Sequence, residues 1–491
     1  MSRSLSRQGA FHKMDVNKPG QQRDSYFNLY LVTCAVNLVS VAVGSVVTWT
    51  SPTLPKLLQP NDRLTITDDE GAWIGSLLAL GAIPGPLLIT LIVDKIGKKL
   101  SLLLCTMTIF VHWIIIASIN SLQAIYVARF IAGMASGVVY NLVPVYVAEI
   151  SPDEIRGLTG SFMLFFIYFG SCISYTVGPY TSISVLIMLL AAIPLVTMPL
   201  FIWIPESPYY LMNKGQKQQT FSTLQCLRGY PSPEVIQREM DALEEMMEKS
   251  HFEKLHSGSL ITQMTQAKIW KPIYYACVLI FFQQMTGFCA ALFYTETIFQ
   301  KASPSISSSN SAIICGLVMW ASGVIIPFMG KLFRIKNVLC FSIIGCFFCL
   351  IILGFYFQAV EEGKSVEHFS WIPLLCLVTY LASYSLGLGS YTWVILAEIL
   401  HPSVKTFASA LATSLCWFLG FLVTRFFAPM VDALGSSGTF WFFSIFCVFG
   451  VIFIIVQLPD TQGKSFQEIQ DLFSSKRGSM SDEEMNGVGQ S

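Results

Sequence analysis

Residues 149–156 read Glu149-Ile-Ser-Pro-Asp-Glu-Ile-Arg156, and residues 398–405 read Glu398-Ile-Leu-His-Pro-Ser-Val-Lys405. Each stretch follows a long apolar window and carries an acid, a proline and then a base seven positions after the acid. A second pair of turns, Pro205-Glu-Ser-Pro208 and Pro459-Asp-Thr-Gln-Gly463, recurs at 254 residues, close to the 249 of the first pair. Matched turns at one long period predict that the chain consists of two structural duplicates.

The composition of the 491-residue chain excludes a soluble protein. Hydrophobic residues make up 53% and charged residues only 12%, about half of the charged share that soluble chains carry. Such a sequence cannot cover a surface that faces water, so we predict a polytopic helical membrane protein. Lys and Arg together number 30, as do Asp and Glu. This balanced net charge gives no indication of nucleic-acid binding.

Twelve apolar windows are long enough to cross the hydrocarbon core, which takes about 20 residues. They fall near 28–50, 72–93, 100–119, 124–147, 158–178, 183–204, 272–299, 311–330, 337–357, 371–396, 406–427 and 439–458. The predicted fold is therefore all-α, with twelve transmembrane helices in two six-helix halves. The expected segments are an N-terminal segment (1–25), a first bundle (26–204), a helical loop (205–271), a second bundle (272–458) and a tail (459–491).

The distribution of basic residues sets the expected orientation. Loops on the side of the N-terminal segment hold 24 of the 30 Lys and Arg residues, whereas the opposite loops hold four. Cytoplasmic loops carry this excess of positive charge. We therefore expect the two termini and the loop 205–271 to be cytoplasmic. Within that loop, Ile236, Met240, Leu243 and Met247 form an amphipathic helical stripe, which predicts short helices that brace the two halves.

The loops predicted on the cytoplasmic side mix acids with bases. Asp94, Glu149, Glu206 and Glu398 each lie near Lys or Arg residues, and like residues recur at like places in the two halves. One interpretation is a set of ion pairs that joins the halves and closes the inner mouth in one conformation. The alternative is the ordinary positive charge of cytoplasmic loops. The fixed offsets of the acids favour the first interpretation.

Further motifs, in order along the chain, resemble the sugar porter family of the major facilitator superfamily, most closely the insect facilitated trehalose transporters. These motifs are Asp94-Lys-Ile-Gly-Lys-Lys99, Arg129 with Gly133 and Gly137, Gln283-Gln-Met-Thr-Gly287, and Trp393, together with the turns already quoted. The resemblance runs from span 1 to Ile469. It implies a plasma-membrane transporter whose two halves expose a central sugar site alternately to the two sides of the membrane.

The resemblance implies a sugar site built from spans 7, 10 and 11. Gln283 and Gln284 match the glutamines that bind sugar hydroxyls in the family, and Tyr294 is expected on the same helical face as Gln283. Trp393 and Trp417 match the two pocket tryptophans of the family. The alternatives are hydrogen bonding between helices for the glutamines and anchoring at the membrane interface for the tryptophans.

Several positions depart from the family pattern. Cys289 and Cys416 stand where the family has Asn, Ser385 where it has Glu or Gly, and Leu164 where it has the Gln of span 5. Each lost amide removes a hydrogen-bond partner worth about 1 kcal/mol. We therefore expect a less polar pocket. The sequence does not decide whether its sugar is trehalose or a hexose.

The resemblance also implies residues that gate the transporter or shape its turns. These are Asp94, Gly97, Lys98, Arg129, Glu149, Arg156, Glu206, Gly387, Gly389, Glu398 and Lys405. In span 10 the family has a proline-rich break, and here Gly387 and Gly389 remain without the three prolines. We expect the two glycines to loosen the helix in their place.

The sequence favours passive transport without an ion. Proton-coupled relatives carry a carboxylate in span 1, whereas this chain has no acid between Asp24 and Asp62, and Val46 stands at the matching position. Glu296 in span 7 is the nearest alternative. A proton symporter, a sugar sensor that does not transport and a membrane-embedded enzyme remain the competing classes. We predict no metal and no cofactor, and the sequence leaves the oligomeric state open.

Overall fold

The computed structural model describes residues 26–59, 64–256, 266–302, 307–401 and 404–460. Within these ranges the chain is almost entirely helical and forms no β-strand. The predicted N-terminal segment 1–25 and the tail from residue 461 onward lie outside the described residues.

The spans of the first half match the predicted windows to within a few residues, except that span 1 continues to Leu58. Their bounds are Phe27–Thr48 with Thr50–Leu58 (span 1), Asp68–Ala82 with Pro84–Ile96 (span 2), Lys98–Ser118 (span 3), Leu122–Ile150 (span 4), Asp153–Val177 (span 5) and Ile183–Leu200 (span 6). The start of span 2 is fixed by a capping box, in which Thr67 and Glu70 bond each other's backbone N–H groups.

The second half contains four helical segments before a final long one. Their bounds are Ala267–Met285 with Phe288–Ala302 (span 7), Ser308–Leu332 (span 8), Ile335–Glu361 (span 9), Ile372–Leu386 with Leu388–Ile399 (span 10) and Lys405–Val456 (spans 11 and 12). Among the described residues, eleven segments are long and apolar enough to cross a membrane. The last segment supplies two spans, so the fold has the twelve helices that the sequence predicts.

Gly435 separates spans 11 and 12 inside the continuous run of 52 helical residues. Its backbone has φ 74° and ψ 168°, a region that essentially only glycine occupies. Glu361, at the end of span 9, accepts hydrogen bonds from the N–H groups of Ser436 at 2.6 Å and Ser437 at 3.3 Å. The carboxylate therefore caps the start of span 12, where the first N–H groups lack helical partners.

In the described part of the segment between the halves, the chain forms the helices Pro208–Asn213, Lys217–Leu227 and Pro233–His256. The predicted stripe is buried among them, because Ile236, Met240 and Leu243 pack into one apolar cluster. Lys217 pairs with Glu244 at 2.7 Å, and the hydrogen bond and charge of Glu244 raise the pKa of Lys217. We call the membrane face that carries these helices the linker face, and the opposite one the far face.

Candidate functional site

The two glutamines of span 7 are buried at the point where the span is interrupted. Gln283 is 2% exposed and Gln284 is 5% exposed, and the first helix of the span ends at Met285, before Gly287 with φ 83°. The Nε2 group of Gln283 donates to the carbonyls of Leu388 and Gly389, each at 3.2 Å. Its Oε1 atom has no hydrogen-bond partner among the described residues.

The carbonyls that Gln283 reaches follow a break in span 10. Gly387 has φ −129° and ψ −91°, which ends one helix at Leu386 and starts the next at Leu388. The N–H group of Leu388 donates to Ser342 of span 9 at 2.9 Å. The expected break is therefore present without proline, and it brings the Gly387–Gly389 segment to Gln283.

Gln284 is bracketed by the two cysteines that replace asparagines of the family. Its Nε2 group donates to Sγ of Cys416 at 2.9 Å, and its Oε1 accepts from Sγ of Cys289 at 3.1 Å. The structure thus brings Gln284, Cys289 and Cys416 together and joins span 7 to span 11. Both ends of this amide already have partners, whereas Gln283 keeps a free acceptor.

The predicted tryptophans lie at different places. Trp417, next to Cys416, meets Tyr140 of span 4 edge-on, with the ring centroids 5.1 Å apart. This contact joins the second half to the first. Trp393 is half-buried and packs against the apolar core.

The expectation that Tyr294 shares a face with Gln283 rests on the spacing of one continuous helix. The helix is interrupted at Gly287, and Tyr294 itself is not helical, with φ −117° and ψ 19°. The spacing of a continuous helix therefore does not apply between the two residues. The hydroxyl of Tyr294 donates to the carbonyl of Thr424 at 3.3 Å, and its ring stacks on Phe427 at 5.2 Å.

Two tyrosines of the first half complete the centre, and sequence reasoning missed both. Tyr140 lies within electrostatic range of Cys289, Cys416 and Tyr168. Tyr168 of span 5 lies close to Ser385 of span 10. The Oγ atom of Ser385 has no hydrogen-bond partner of normal geometry among the described residues. A hydroxyl in the middle of an apolar window was the available signal for both residues.

On the linker face, the charged turns of the first half bind one another. Nζ of Lys98 pairs with Glu149 at 2.9 Å, and Ser207 also donates to that carboxylate. Glu206 accepts the N–H groups of Lys98 at 3.1 Å and Lys99 at 3.2 Å, which neutralises the positive end of span 3. These contacts stay within one half and do not join the halves as the gating interpretation expects.

Gly97 makes the contact with Glu206 possible. Its φ of 88° is accessible to glycine, and a Cβ atom there would lie 2.3 Å from Oε2 of Glu206. Asp94, three residues earlier, is exposed and forms no ion pair with a residue that the structure describes. In this conformation, no described ion pair therefore supports the predicted gating role of Asp94.

The duplicated turns close in the same way. Nε of Arg156 donates to the carbonyl of Ala148 at 3.1 Å, and Nζ of Lys405 donates to the carbonyl of Ala397 at 2.8 Å. In both turns the base reaches back eight residues to the end of the preceding span. Glu398 also has a contact partner and lies within electrostatic range of Lys405.

On the far face, contacts that the sequence did not predict join the two halves. Arg425 of span 11 pairs with Asp69 of span 2 at 2.6 Å, and its guanidinium lies 4.7 Å from the ring of Trp73. Tyr180 donates to Asn310 at 2.6 Å. These contacts hold the two halves together at the far face.

Known sugar transporters match this chain over most of its length. A family model described as "Sugar (and other) transporter" matches residues 28–473. The chain belongs to this sugar transporter family. The facilitated trehalose transporter Tret1 of Aedes aegypti is 31% identical over 93% of this chain and 56% of its own length. The Tret1-2 homolog of Drosophila sechellia is 31% identical over 92% of both chains.

Solved structures share the fold. The proton:xylose symporter XylE bound to 6-bromo-6-deoxy-D-glucose aligns with a TM-score of 0.75 and 20% identity, over 92% of this chain and all of that chain. The inward-open conformation of XylE from E. coli aligns with a TM-score of 0.74 over 90% of this chain and 99% of that chain. The twelve-helix fold of the major facilitator superfamily and the resemblance to the sugar porter family are therefore confirmed.

Family membership also decides the class of protein. The relatives are sugar transporters, so this chain is a multi-pass transporter of small-molecule sugars and not an enzyme. Cys346 and Cys349 of span 9 are spaced as Cys-x-x-Cys, a spacing that occurs in metal sites. Within the described ranges, however, no three His, Cys, Asp or Glu side chains are grouped to hold a metal ion.

Proposed function

We propose that this protein is a facilitative sugar transporter of the plasma membrane, with trehalose or a hexose as its substrate. The observation that carries the proposal is the buried amide of Gln283, whose Oε1 atom is an acceptor without a partner among the described residues. Such an atom costs free energy unless a donor reaches it. A sugar hydroxyl is a donor of the right kind, and the names of the trehalose-transporting relatives support the choice of trehalose.

The proposed sugar site lies between the halves. Gln283, Gln284, Cys289, Cys416 and Trp417 contribute from the second half. Tyr140 and Tyr168 face them from the first half. A ligand held by both halves is exposed to one side or the other when the bundles 26–204 and 272–458 rock against each other. The charged turns of the linker face, including Glu149, Arg156, Glu398 and Lys405, are the proposed inner gate.

Arg129 supports passive transport. Its Nε donates to the carbonyl of Ile74 at 3.0 Å, and its Nη1 donates to the carbonyl of Val46 at 2.7 Å. A backbone carbonyl cannot carry a proton across the membrane as a carboxylate does. With no acid at this position of span 1, we propose uniport in preference to proton symport.

Liposomes that contain the purified protein test the proposal. Labelled trehalose and labelled glucose should each be offered at equal pH on both sides and then with a pH gradient. We expect one of them to equilibrate without rising above its equilibrium level in either condition. Accumulation driven by the gradient would establish symport. No movement of either sugar, with binding retained, would establish a sensor.

The orientation is a separate proposal. We propose that the linker face is cytoplasmic, as the excess of Lys and Arg in its loops indicates. An epitope attached to the N-terminus should then be stained only after cells are permeabilised. Staining of intact cells would reverse the orientation.

A further inference from the structure

Arg129 is a buried cation without a counter-ion. The residue is fully buried in the first half, and no ion pair links it to an acid among the described residues. Two of its nitrogens donate to carbonyls, but Nη2 has no hydrogen-bond partner in the described chain. Buried charges in proteins are paired as a rule, because an uncompensated charge is costly to remove from water.

Aromatic side chains surround the guanidinium. Its Cζ atom lies 5.7 Å from the ring of Trp49, which meets Trp113 of span 3 edge-on at 6.1 Å. The ring of His112 contacts Trp113 at 4.4 Å and lies within electrostatic range of Arg129. We call these four residues the Arg129 cluster; all of them are at most 1% exposed.

The Arg129 cluster has more donors than acceptors. The indole N–H groups of Trp49 and Trp113 and both ring nitrogens of His112 have no hydrogen-bond partner among the described residues. Guanidinium and indole groups can only donate. Buried polar groups are nearly always paired, with protein, water or an ion. The unpaired donors of the cluster therefore need a hydrogen-bond acceptor, and the positive charge of Arg129 favours an acceptor that is negatively charged.

The described acids on neighbouring helices have other partners: Glu296 of span 7 accepts from Ser309 at 3.1 Å and lies within electrostatic range of Lys56. Asp69 of span 2 pairs with Arg425, and Glu70 bonds the N–H group and hydroxyl of Thr67 at the start of the same span. Spans 1, 3 and 4 carry no acid near the cluster, since the only one they contain is Glu149 at the linker-face end of span 4. Among the described residues, no carboxylate therefore supplies the negative charge.

We propose that the Arg129 cluster binds one small monovalent anion, with chloride as the probe that we choose. One unit of negative charge balances one guanidinium, and a halide accepts hydrogen bonds from several directions. Aromatic walls suit a weakly hydrated ion, whereas sulfate or phosphate would lose more hydration and overcompensate the charge. Bound there, the anion links Trp49 of span 1, Trp113 of span 3 and Arg129 of span 4.

Thermal unfolding of the purified full chain in lipid nanodiscs tests the site. Chloride should be titrated against gluconate at constant ionic strength. We expect a saturable rise in Tm of about 3 °C, no such rise with sulfate, and loss of the rise in Arg129→Gln. An unchanged Tm in the wild-type chain, or a full rise in Arg129→Gln, would overturn the proposal and leave water as the partner of these groups.

A matched pair of tryptophan variants keeps the test decisive if Arg129→Gln does not fold. Trp113→Phe removes one donor of the cluster, and we expect it to weaken the apparent affinity for chloride about 5-fold. Trp320→Phe makes the same change at a half-buried indole whose buried N–H group also has no described partner, and which packs against Phe165 and Phe169. Equal chloride responses in the two variants would refute the site. The readout needs no sugar, so it is independent of the proposed transport.

Discussion

The hydroxyl of Tyr175 in span 5 donates a 2.6 Å hydrogen bond to the carbonyl of Leu292 in span 7. Four residues later in span 7, the N–H group of Glu296 donates to Oγ of Ser51 in span 1 at 3.2 Å. In a regular helix these two backbone groups form a pair with each other. Tyr294, between them, has non-helical angles, and residues of the first half bind both groups. The kink in span 7 is thus bound by two helices of the first half.

Tyr175→Phe should favour opening of the far face. The substitution leaves the carbonyl of Leu292 without the phenol when the face is closed, whereas water satisfies the carbonyl when the face is open. A hydrogen bond of about 1 kcal/mol corresponds to a shift of about 5-fold toward the open state. Hydrogen exchange measured by mass spectrometry on the segment 288–302 should rise by that factor.

Tyr356→Phe is the matched control for this prediction. Its hydroxyl also bonds a carbonyl of span 7, that of Ala302 at 2.9 Å, but both residues belong to the second half. Exchange in the segment 288–302 should change much less in this variant. Similar exchange in both variants would show that Tyr175 stabilises the helix locally and does not hold the halves together.

Arg425 and Asp69 should act as a second contact that closes the far face. Asp69→Asn removes the partner of a cation that is mostly buried, with 18% of its side chain exposed. Because Asp69 itself is 67% exposed, the pair contributes about 1 kcal/mol or less. We expect the rate of sugar exchange to change by about 2- to 5-fold and the change to shrink as salt is added.

The exchanged pair Asp69→Arg with Arg425→Asp distinguishes attraction from packing. If the charges attract, the double variant should recover part of the wild-type rate that either single variant loses. Glu362→Gln, which breaks the exposed pair with Lys364 inside the second half, should leave the rate unchanged. A double variant as impaired as the worse single one would mean that the stacking of Arg425 on Trp73 matters more than its charge.

The sequence predicted local features better than contacts between the halves. The hydrophobic windows found span 4 as 124–147, against the observed Leu122–Ile150, because hydropathy depends on the segment alone. The glycines of span 10 predicted its break for the same reason. The pair of Arg425 and Asp69 joins residues 356 positions apart, and no periodicity reports how two bundles face each other.

The centre of the site was predicted only in part. The resemblance pointed to Gln283 and Gln284, and the structure places both, buried, in the last turn of the helix Ala267–Met285. It did not point to Tyr140 or Tyr168, because the motifs that carry the resemblance do not include those positions. The spacing that placed Tyr294 on the face of Gln283 requires one continuous helix, and the break at Gly287 interrupts it. The five segments, the roles of the site residues and the inner gate stay predictions.

Gln283→Ala should abolish most transport while the protein still reaches the cell surface. The substitution removes the free acceptor and also the bonds to Leu388 and Gly389. Loss of one buried hydrogen bond costs about 1–3 kcal/mol, or about 5- to 150-fold in kcat/KM. Uptake of labelled sugar, normalised to surface protein, measures the effect. We expect Gln284→Ala to lose uptake as well.

A structural role of Gln283 predicts a different pattern. In that case Tm would fall with transport, and saturating sugar would still raise the Tm of the variant. For a sugar contact, the rise in Tm caused by sugar should disappear. Gln358→Ala, whose amide bonds Glu362 on the surface at 2.8 Å, controls for the loss of an amide and should behave as the wild-type chain.

Gly435→Ala should destabilise the protein without touching the site. The angles of this residue belong to glycine alone, and a Cβ atom would lie 2.9 Å from Oε1 of Glu361. The strain costs about 1–3 kcal/mol, which we expect to lower Tm by about 5 °C.

Gly160→Ala makes the same change within a regular part of span 5, where a Cβ atom meets nothing within 4 Å. Because alanine favours a helix over glycine by about 1 kcal/mol, Gly160→Ala should raise Tm or leave it unchanged. Equal losses in the two variants would show that the turn between spans 11 and 12 does not depend on the left-handed backbone of Gly435.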